Sequence, residues 1–523
     1  MRTKFSIFNF QFSTLELLFL LILASLFFFT RLYRLTKVPV FCDEAIYIRW
    51  AQIMRNEPSL RFLPLQDGKQ PLFMWLVMPM LKLFSDPLFA GRFASVLAGL
   101  AVLFAVLIYQ YINTKRWRWW VGLIYIFLPF SVFFDRMALV DSLLAAFGVW
   151  ALNFAVLLGM TLRLDVAMIL GMILGGSLLT KSPGMFFVIL APVVAALQLM
   201  VNSEKSKVKL KVKSLIKLIS LIFVSLAIAF AIYNILRLGP NFHMIKIRNK
   251  DYIYSLSELK QYPLHPFLEN IKSVGRYYWH YLTPPILFLG LMGILVEIKR
   301  FASLKFAWRN LGILLWWGIP LLTQAAIAKV FTARYILFSV PVFILFASFG
   351  LRLILEKIKK IARDPLMRRA LTLLTLILIL SPAFYFDWQL WRNPAQANFP
   401  QDERKGYLED WTAGWGIKSI ADYLKQLPKD KNIVVGTEGF FGTLPEGLQI
   451  YLEKESKITV IGVGYPIKAI PESLVNAKKA GDRVYLVVNQ SRLEMGNQKG
   501  LKLIRAYEKP GGDRLLFFEI SNF

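Results

Sequence analysis

The chain has 523 residues, 56% of them hydrophobic, and a mean hydropathy of +0.51, which excludes an ordinary soluble globular protein. Lys and Arg outnumber Asp and Glu by 62 to 33, a formal net charge of +29. No helix-turn-helix, RNP or zinc-finger pattern accompanies that charge, so no nucleic-acid partner is expected, and the lone Cys42 excludes an internal disulfide or a Cys-rich metal site.

The apolar residues come in long blocks. Those at 15–30, 90–109, 218–236 and 370–386 are each about long enough to cross roughly 30 Å of hydrocarbon. Met1-Arg2-Thr3-Lys4 leads into the first block, which ends in Arg31-Leu32-Tyr33-Arg34 and not in a small-residue cleavage site, so an uncleaved first span is expected. In chain order, about eleven spans are predicted near 15–33, 88–110, 119–134, 142–160, 166–180, 184–201, 218–236, 282–298, 310–328, 335–353 and 369–386. Alternate loops then carry the basic residues: Lys115, Arg116 and Arg118; the Lys-rich stretch 205–217; Lys299, Arg300, Lys305 and Arg309; and the stretch 357–369. That pattern assigns these loops and the N-terminus to the cytoplasm of a multi-pass cell-membrane protein.

Three segments are left outside: a loop over 35–87, a loop over 237–281, and everything after about Asp387. Within the first, 71–84 is apolar but only about 14 residues long, and is expected to lie at the membrane interface. After Phe386 the texture changes. A helix is predicted over 417–427, with strands at 432–435, 457–463, 483–489 and 515–520, forming a small mixed or parallel sheet. The expected organisation is an α-helical transmembrane domain over 1–386 and an extracytoplasmic α/β domain over 387–523.

The most informative short motif is Cys42-Asp43-Glu44-Ala45 with Tyr47, just beyond the first span. Adjacent carboxylates at a membrane boundary are costly unless solvated, paired or used. A second acidic turn runs from Asp135-Arg136 to Asp141, where the plain reading is a tight turn with a local ion pair. Lys69, in Asp67-Gly68-Lys69-Gln70-Pro71, adds a cation on the same predicted face. A carboxylate can take a proton from an attacking hydroxyl, and cations can stabilise a departing phosphate.

Phe41-Cys42-Asp43-Glu44-Ala45-Ile46-Tyr47, followed by Gly68-Lys69-Gln70-Pro71-Leu72, resembles the first outer loop of polyprenyl-phosphate-sugar transferases. These are the glycosyltransferase family 39 group, with the protein O-mannosyltransferases and the aminoarabinose transferase, which share the membrane GT-C fold. Arg92-Phe93-Ala94-Ser95, the Arg136 to Asp141 turn and Ala333-Arg334-Tyr335 are similar to the same family, so the resemblance covers roughly the first 350 residues. It implies Asp43 as catalytic base with Glu44 beside it, Asp141 as the second acid, and Lys69, Arg136 and Arg334 as neighbours of the donor phosphate. Tyr47, Arg92 and His265 would lie close to substrate. The implied activity is transfer of a sugar from a polyprenyl-phosphate donor to an extracytoplasmic acceptor (protein, lipid or glycan), with inversion and no covalent sugar-enzyme intermediate. Some family members bind a divalent metal ion and others do not need one, which leaves the cofactor open.

His243, His265 and His280 all fall in the second outer loop, at spacings matching no compact metal-ligand motif. Cys42 has no histidine base near it in sequence and is not expected to act as a nucleophile. Lys181, in Lys181-Ser182-Pro183-Gly184, is read as snorkelling or meeting phosphate. The glycine-rich stretch 436–447 matches no dinucleotide or phosphate-loop fingerprint; it reads as a structural turn or an acceptor-contact loop. Trp411 and Trp415 could stack on a sugar or pack against the membrane domain. Two other functions compete: a transporter or flippase, whose polar groups would gather near the bilayer midplane in two related halves, and an oligosaccharyltransferase or glycan ligase using a diphosphate-linked donor.

Overall fold

A computed structural model of the chain describes residues 13–205, 211–261, 264–302, 307–495 and 500–521. Met1-Arg2-Thr3-Lys4, residues 206–210, Tyr262, Pro263 and Lys305 lie outside the described residues.

Seven helices among the described residues are long and apolar enough to cross a membrane: Thr14–Leu32, Pro87–Thr114, Asp141–Thr161, Gly184–Ser203, Val212–Leu238, Ala333–Ile361 and Pro365–Arg392. Leu72–Leu83, Leu164–Thr180 and Leu311–Ile327 are shorter apolar helices, and Pro284–Ala302 fills the expected span near 282–298. The count of eleven full spans is therefore not reproduced. The expected span at 119–134 is two helices, Trp119–Phe127 and Pro129–Phe134, because Leu128 before Pro129 is extended. The apolar stretch near 71–84 forms the 12-residue helix Leu72–Leu83, about 18 Å long and too short to span.

Small residues set the closest helix packing. A Cβ on Gly171 would lie 2.6 Å from the Ser225 carbonyl oxygen, and one on Gly175 would lie 2.7 Å from Ile232 Cβ. The Gly-x-x-x-Gly face of Leu164–Thr180 thus lets Val212–Tyr233 approach.

The C-terminal part holds a five-stranded sheet in the order Ile458–Gly462, Ile433–Thr437, Arg483–Asn489, Arg514–Ile520, Leu501–Glu508. The first three strands are parallel and the last two antiparallel, a mixed sheet as expected. Leu501–Glu508 was not expected, since Lys502 and Arg505 break its apolar pattern.

This part is tied to the segment over 35–87. Val40–Phe41 pairs antiparallel with Ala413–Gly414. Along the Cys42–Asn56 helix, Gln52 donates to the Ile450 carbonyl at 2.8 Å and Arg55 pairs with Glu453 at 3.0 Å. Those bonds tie both ends of the Cys42–Asn56 helix to the C-terminal part.

Candidate active site

Asp43 and Tyr47 lie one turn apart on the Cys42–Asn56 helix and face the same way. They face a cavity of about 480 Å³ whose lining also includes Lys69, Asp141, Lys181, Arg334 and Tyr335. Five distant stretches of chain thus deliver polar side chains to one chamber. Its other walls are partly apolar, with Val140, Phe186, Ile189 and Ile327.

Local structure positions each group. Asp43 occupies the first turn of its helix, where an acid is favoured by the orphan N–H groups. Lys69 follows Gly68, which ends the Leu63–Asp67 turn in the left-handed region at φ 66°. A Cβ there would lie 2.7 Å from Arg248 Cβ, so only glycine fits both demands. Asp141 opens the Asp141–Thr161 helix, Lys181 follows Leu164–Thr180, and Arg334 is the second residue of the 3₁₀ turn Ala333–Ser339.

The acids and bases are already paired. Arg334 meets Asp43 at 2.6 Å, and Lys181 meets Asp141 at 2.6 Å. Lys181 also sits 4.0 Å from the centre of the Tyr335 ring, and Lys69 lies 5.4 Å from that of Tyr47. Lys69 is 3.4 Å from Asp67, which also binds Arg248 at 2.7 Å. Gln70 donates to Ser182 at 3.0 Å, and Ser182 reaches Asn249 at 3.3 Å, joining the 35–87 and 237–281 segments through the turn at Ser182.

Burial alone would raise the Asp43 carboxyl, but Arg334, Lys69 and Lys181 outweigh it and hold it at about 2. Burial depresses Lys181 despite Asp141 beside it. Burial, with Asp43 adjacent, pushes the Cys42 thiol up to about 12, away from the reactive thiolate form.

Four residues expected at the site stand elsewhere. Glu44, fully buried, accepts from Arg92 Nε at 2.8 Å and Nη2 at 2.7 Å, from the Ala138 N–H at 2.6 Å and from the Phe41 N–H at 3.0 Å. Arg92 spends its remaining donors on the carbonyls of Leu35, Val38 and Pro39. Arg136 donates to the carbonyls of Thr30, Arg31, Tyr33 and Arg34, capping the first helix with a cation where its dipole is negative. These three groups are bonded to the surrounding scaffold and do not line the cavity. His265 is exposed, 3.6 Å from Glu269 and outside the cavity lining.

The ion pair expected within the Asp135–Asp141 turn is also different, since Asp135 meets the distant Arg31 at 3.2 Å. Lys181, read from the sequence as snorkelling or meeting phosphate, pairs with Asp141 and lines the cavity. Trp415 donates to the Leu408 carbonyl at 2.7 Å, and Trp411 lies against the Arg492 guanidinium at 3.8 Å, so neither indole is free-standing. Among the described residues no group of three or more His, Cys, Asp or Glu gathers to hold a metal ion. Asp43 and Asp141 each carry a cationic partner instead, a donor set that does not fit a divalent metal.

A family model described as dolichyl-phosphate-mannose-protein mannosyltransferase matches residues 66–243, a stretch containing Lys69, Asp141 and Lys181. No curated protein matches the sequence. Among solved structures, ArnT from Cupriavidus metallidurans in the apo state superposes with a TM-score of 0.55 at 16% identity, covering 96% of this chain and 97% of that one. The same protein bound to undecaprenyl phosphate gives 0.54 at 15% identity, with 96% and 97% covered. The archaeal oligosaccharyltransferase AglB from Archaeoglobus fulgidus, in complex with an inhibitory peptide and a dolichol-phosphate, gives 0.50 at 15% identity, covering 91% of this chain and 69% of that one. At such identities the shared feature is the fold. The family model and these superpositions bear out the resemblance and the GT-C-like architecture expected from the sequence.

Proposed function

We propose that this multi-pass membrane protein is a glycosyltransferase that moves a sugar from a polyprenyl-phosphate donor to an extracytoplasmic acceptor, with Asp43 as the base. The observation that carries this reading is one chamber, with partly apolar walls, lined by Asp43, Asp141, Lys69, Lys181 and Arg334. Three cations against two carboxylates leave one positive charge, which complements the single negative charge of a phosphodiester donor. A diphosphate-linked donor would bring further negative charge with no extra cation lining the chamber to meet it. The family model, and the polyprenyl phosphates named with ArnT and AglB, support the same donor class.

In the reaction, the acceptor hydroxyl attacks the anomeric carbon from the face opposite the phosphate. The carbon–oxygen bond to phosphate breaks, its electron pair leaves on the phosphate oxygen, and the hydroxyl proton passes to Asp43. Lys69, Arg334 and Lys181 stabilise the growing phosphate charge, and the configuration inverts. With Arg334 at 2.6 Å, the resting carboxylate is a poor proton acceptor. A donor phosphate that draws on Arg334 and Lys69 loosens this hold and raises the proton affinity of Asp43 once substrate is in place.

The chamber then opens outside the membrane, with the N-terminus cytoplasmic. We divide the chain into a transmembrane catalytic domain over 1–386, with its outer loops at 35–87 and 237–281, and an extracytoplasmic domain over 387–523. Asp43→Asn, which keeps the shape and removes the base, should reduce transfer by at least ~100-fold in folded protein. Wild-type rates in that variant contradict the role of Asp43.

A further inference from the structure

The turn that carries Arg334 begins without a cap of its own. Thr332, at the N-cap position, is extended and makes no side-chain cap bond, and its buried hydroxyl finds no partner. An uncapped first N–H inside a protein costs free energy unless another group accepts it. Here that group is remote in sequence: Glu403 Oε1 accepts the Ala333 N–H at 3.0 Å. Glu403 is only 4% exposed, and its other oxygen accepts from the Tyr281 hydroxyl at 3.4 Å. A neighbouring set of bonds seats the segment. Asp402 accepts from the Tyr277 hydroxyl and from Arg276, and Tyr407 packs on Phe41 at 4.6 Å between ring centres.

A buried carboxylate at this point is an expensive way to satisfy one backbone N–H, since a neutral amide would do. What the carboxylate adds is charge, at the start of a helix whose next residue is the cation paired with Asp43. We propose that Glu403 is a positioning residue that caps the Ala333–Ser339 turn from outside and so holds the Arg334 guanidinium against Asp43 and the donor phosphate. The inference rests on the functional reading above. It adds a residue that the cavity lining does not contain, from a segment that follows the last long helix.

The charged and titratable groups around Glu403 are Asp402 and Tyr407 on its own segment, Tyr277 and Tyr281 on the His265–Tyr281 helix, and Arg334 on the capped turn. Burial, with Asp402 adding to it, pushes the Glu403 carboxyl up to about 7 against the pull of the Ala333 N–H and Arg334. Activity that depends on the carboxylate form therefore falls as pH drops through that value.

The test is a double-mutant cycle on full-length protein in lipid nanodiscs, with sugar transfer from a polyprenyl-phosphate-linked sugar as the readout. Glu403→Ala should reduce transfer about tenfold or more, a loss expected mostly in the Michaelis constant for donor, while Glu403→Gln, which keeps the acceptor oxygen, recovers part of it. In an Arg334→Ala background, Glu403→Ala should change transfer by less than about twofold. Full additivity of the two substitutions, or an unaltered Glu403→Ala enzyme, overturns the inference while leaving the functional reading intact. A wild-type protein inactive with every monophosphate donor overturns both. Glu403→Gln should also lose the acidic limb of the pH–rate profile, which a purely structural role would leave in place.

Discussion

Asp43 and Glu44 are adjacent in sequence and lie in different surroundings, because successive side chains on a helix point about 100° apart. One faces the chamber beside Arg334, and the other is enclosed by Arg92 and two backbone N–H groups. Two carboxyls in the described chain respond to pH in opposite senses. The Asp43 carboxyl is depressed to about 2, so its contribution to stability is present above the ordinary value near 3.8 and fades only as pH falls through about 2. It imposes nothing between pH 5 and 9. Glu403 is raised to about 7, so its contribution is present below the ordinary value of 4.5 and is lost as pH rises through about 7. Melting temperatures of wild type and Glu403→Gln, compared at pH 5 and pH 8, should show a smaller decline in the variant. Glu446, also raised to about 7 by burial, keeps the decline from vanishing. An identical decline in both proteins would remove Glu403 from the pH response.

Between elements, Arg92 is a buried connector. It joins the Pro87–Thr114 helix to the Cys42–Asn56 helix through Glu44 and to the backbone at Leu35, Val38 and Pro39. Arg92→Met leaves the Glu44 charge buried without its partner, which costs about 3–5 kcal/mol. The expected result is a markedly lower melting temperature, partly restored by a second substitution, Glu44→Gln; no change on Arg92→Met would contradict the scaffold role. This is where sequence reading reaches its limit. Block length and hydropathy made the long helices legible, and the short apolar runs at 432–435, 457–463 and 483–489 made the parallel strands legible. The break at Pro129 is a local effect hidden within an apolar block. The two-residue pairing of Val40–Phe41 with Ala413–Gly414 leaves no periodic trace at all. The same applies to the site. Asp43, Lys69 and Asp141 stand out in the sequence as charged groups on one predicted face and Arg334 through the motif resemblance, but a motif does not say which way a side chain faces, so it takes in Glu44, Arg92 and Arg136 as well. The pairing of Lys181 with Asp141, 40 residues apart, and the cap from Glu403 on Ala333, 70 apart, exist only in three dimensions.

For the molecule as a whole, helices carry the chamber, and the C-terminal sheet is fastened to the chain beside Asp43. Gly442, in the turn after the Ile433–Thr437 strand, stands so near Cys42 that a Cβ there would lie 3.3 Å from the sulfur. The partly apolar walls and the excess of one cation together point to a lipid carrying one phosphate. The most direct test reconstitutes the full-length protein with matched donors, one polyprenyl monophosphate-linked and one diphosphate-linked, carrying the same sugar in the same anomeric form. Product and its anomeric configuration are read by mass spectrometry and NMR. The account predicts transfer from the monophosphate donor, with inversion and release of polyprenyl phosphate. Transfer from the diphosphate donor alone, retention of configuration, or movement of lipid or solute without any glycosylated product would contradict it.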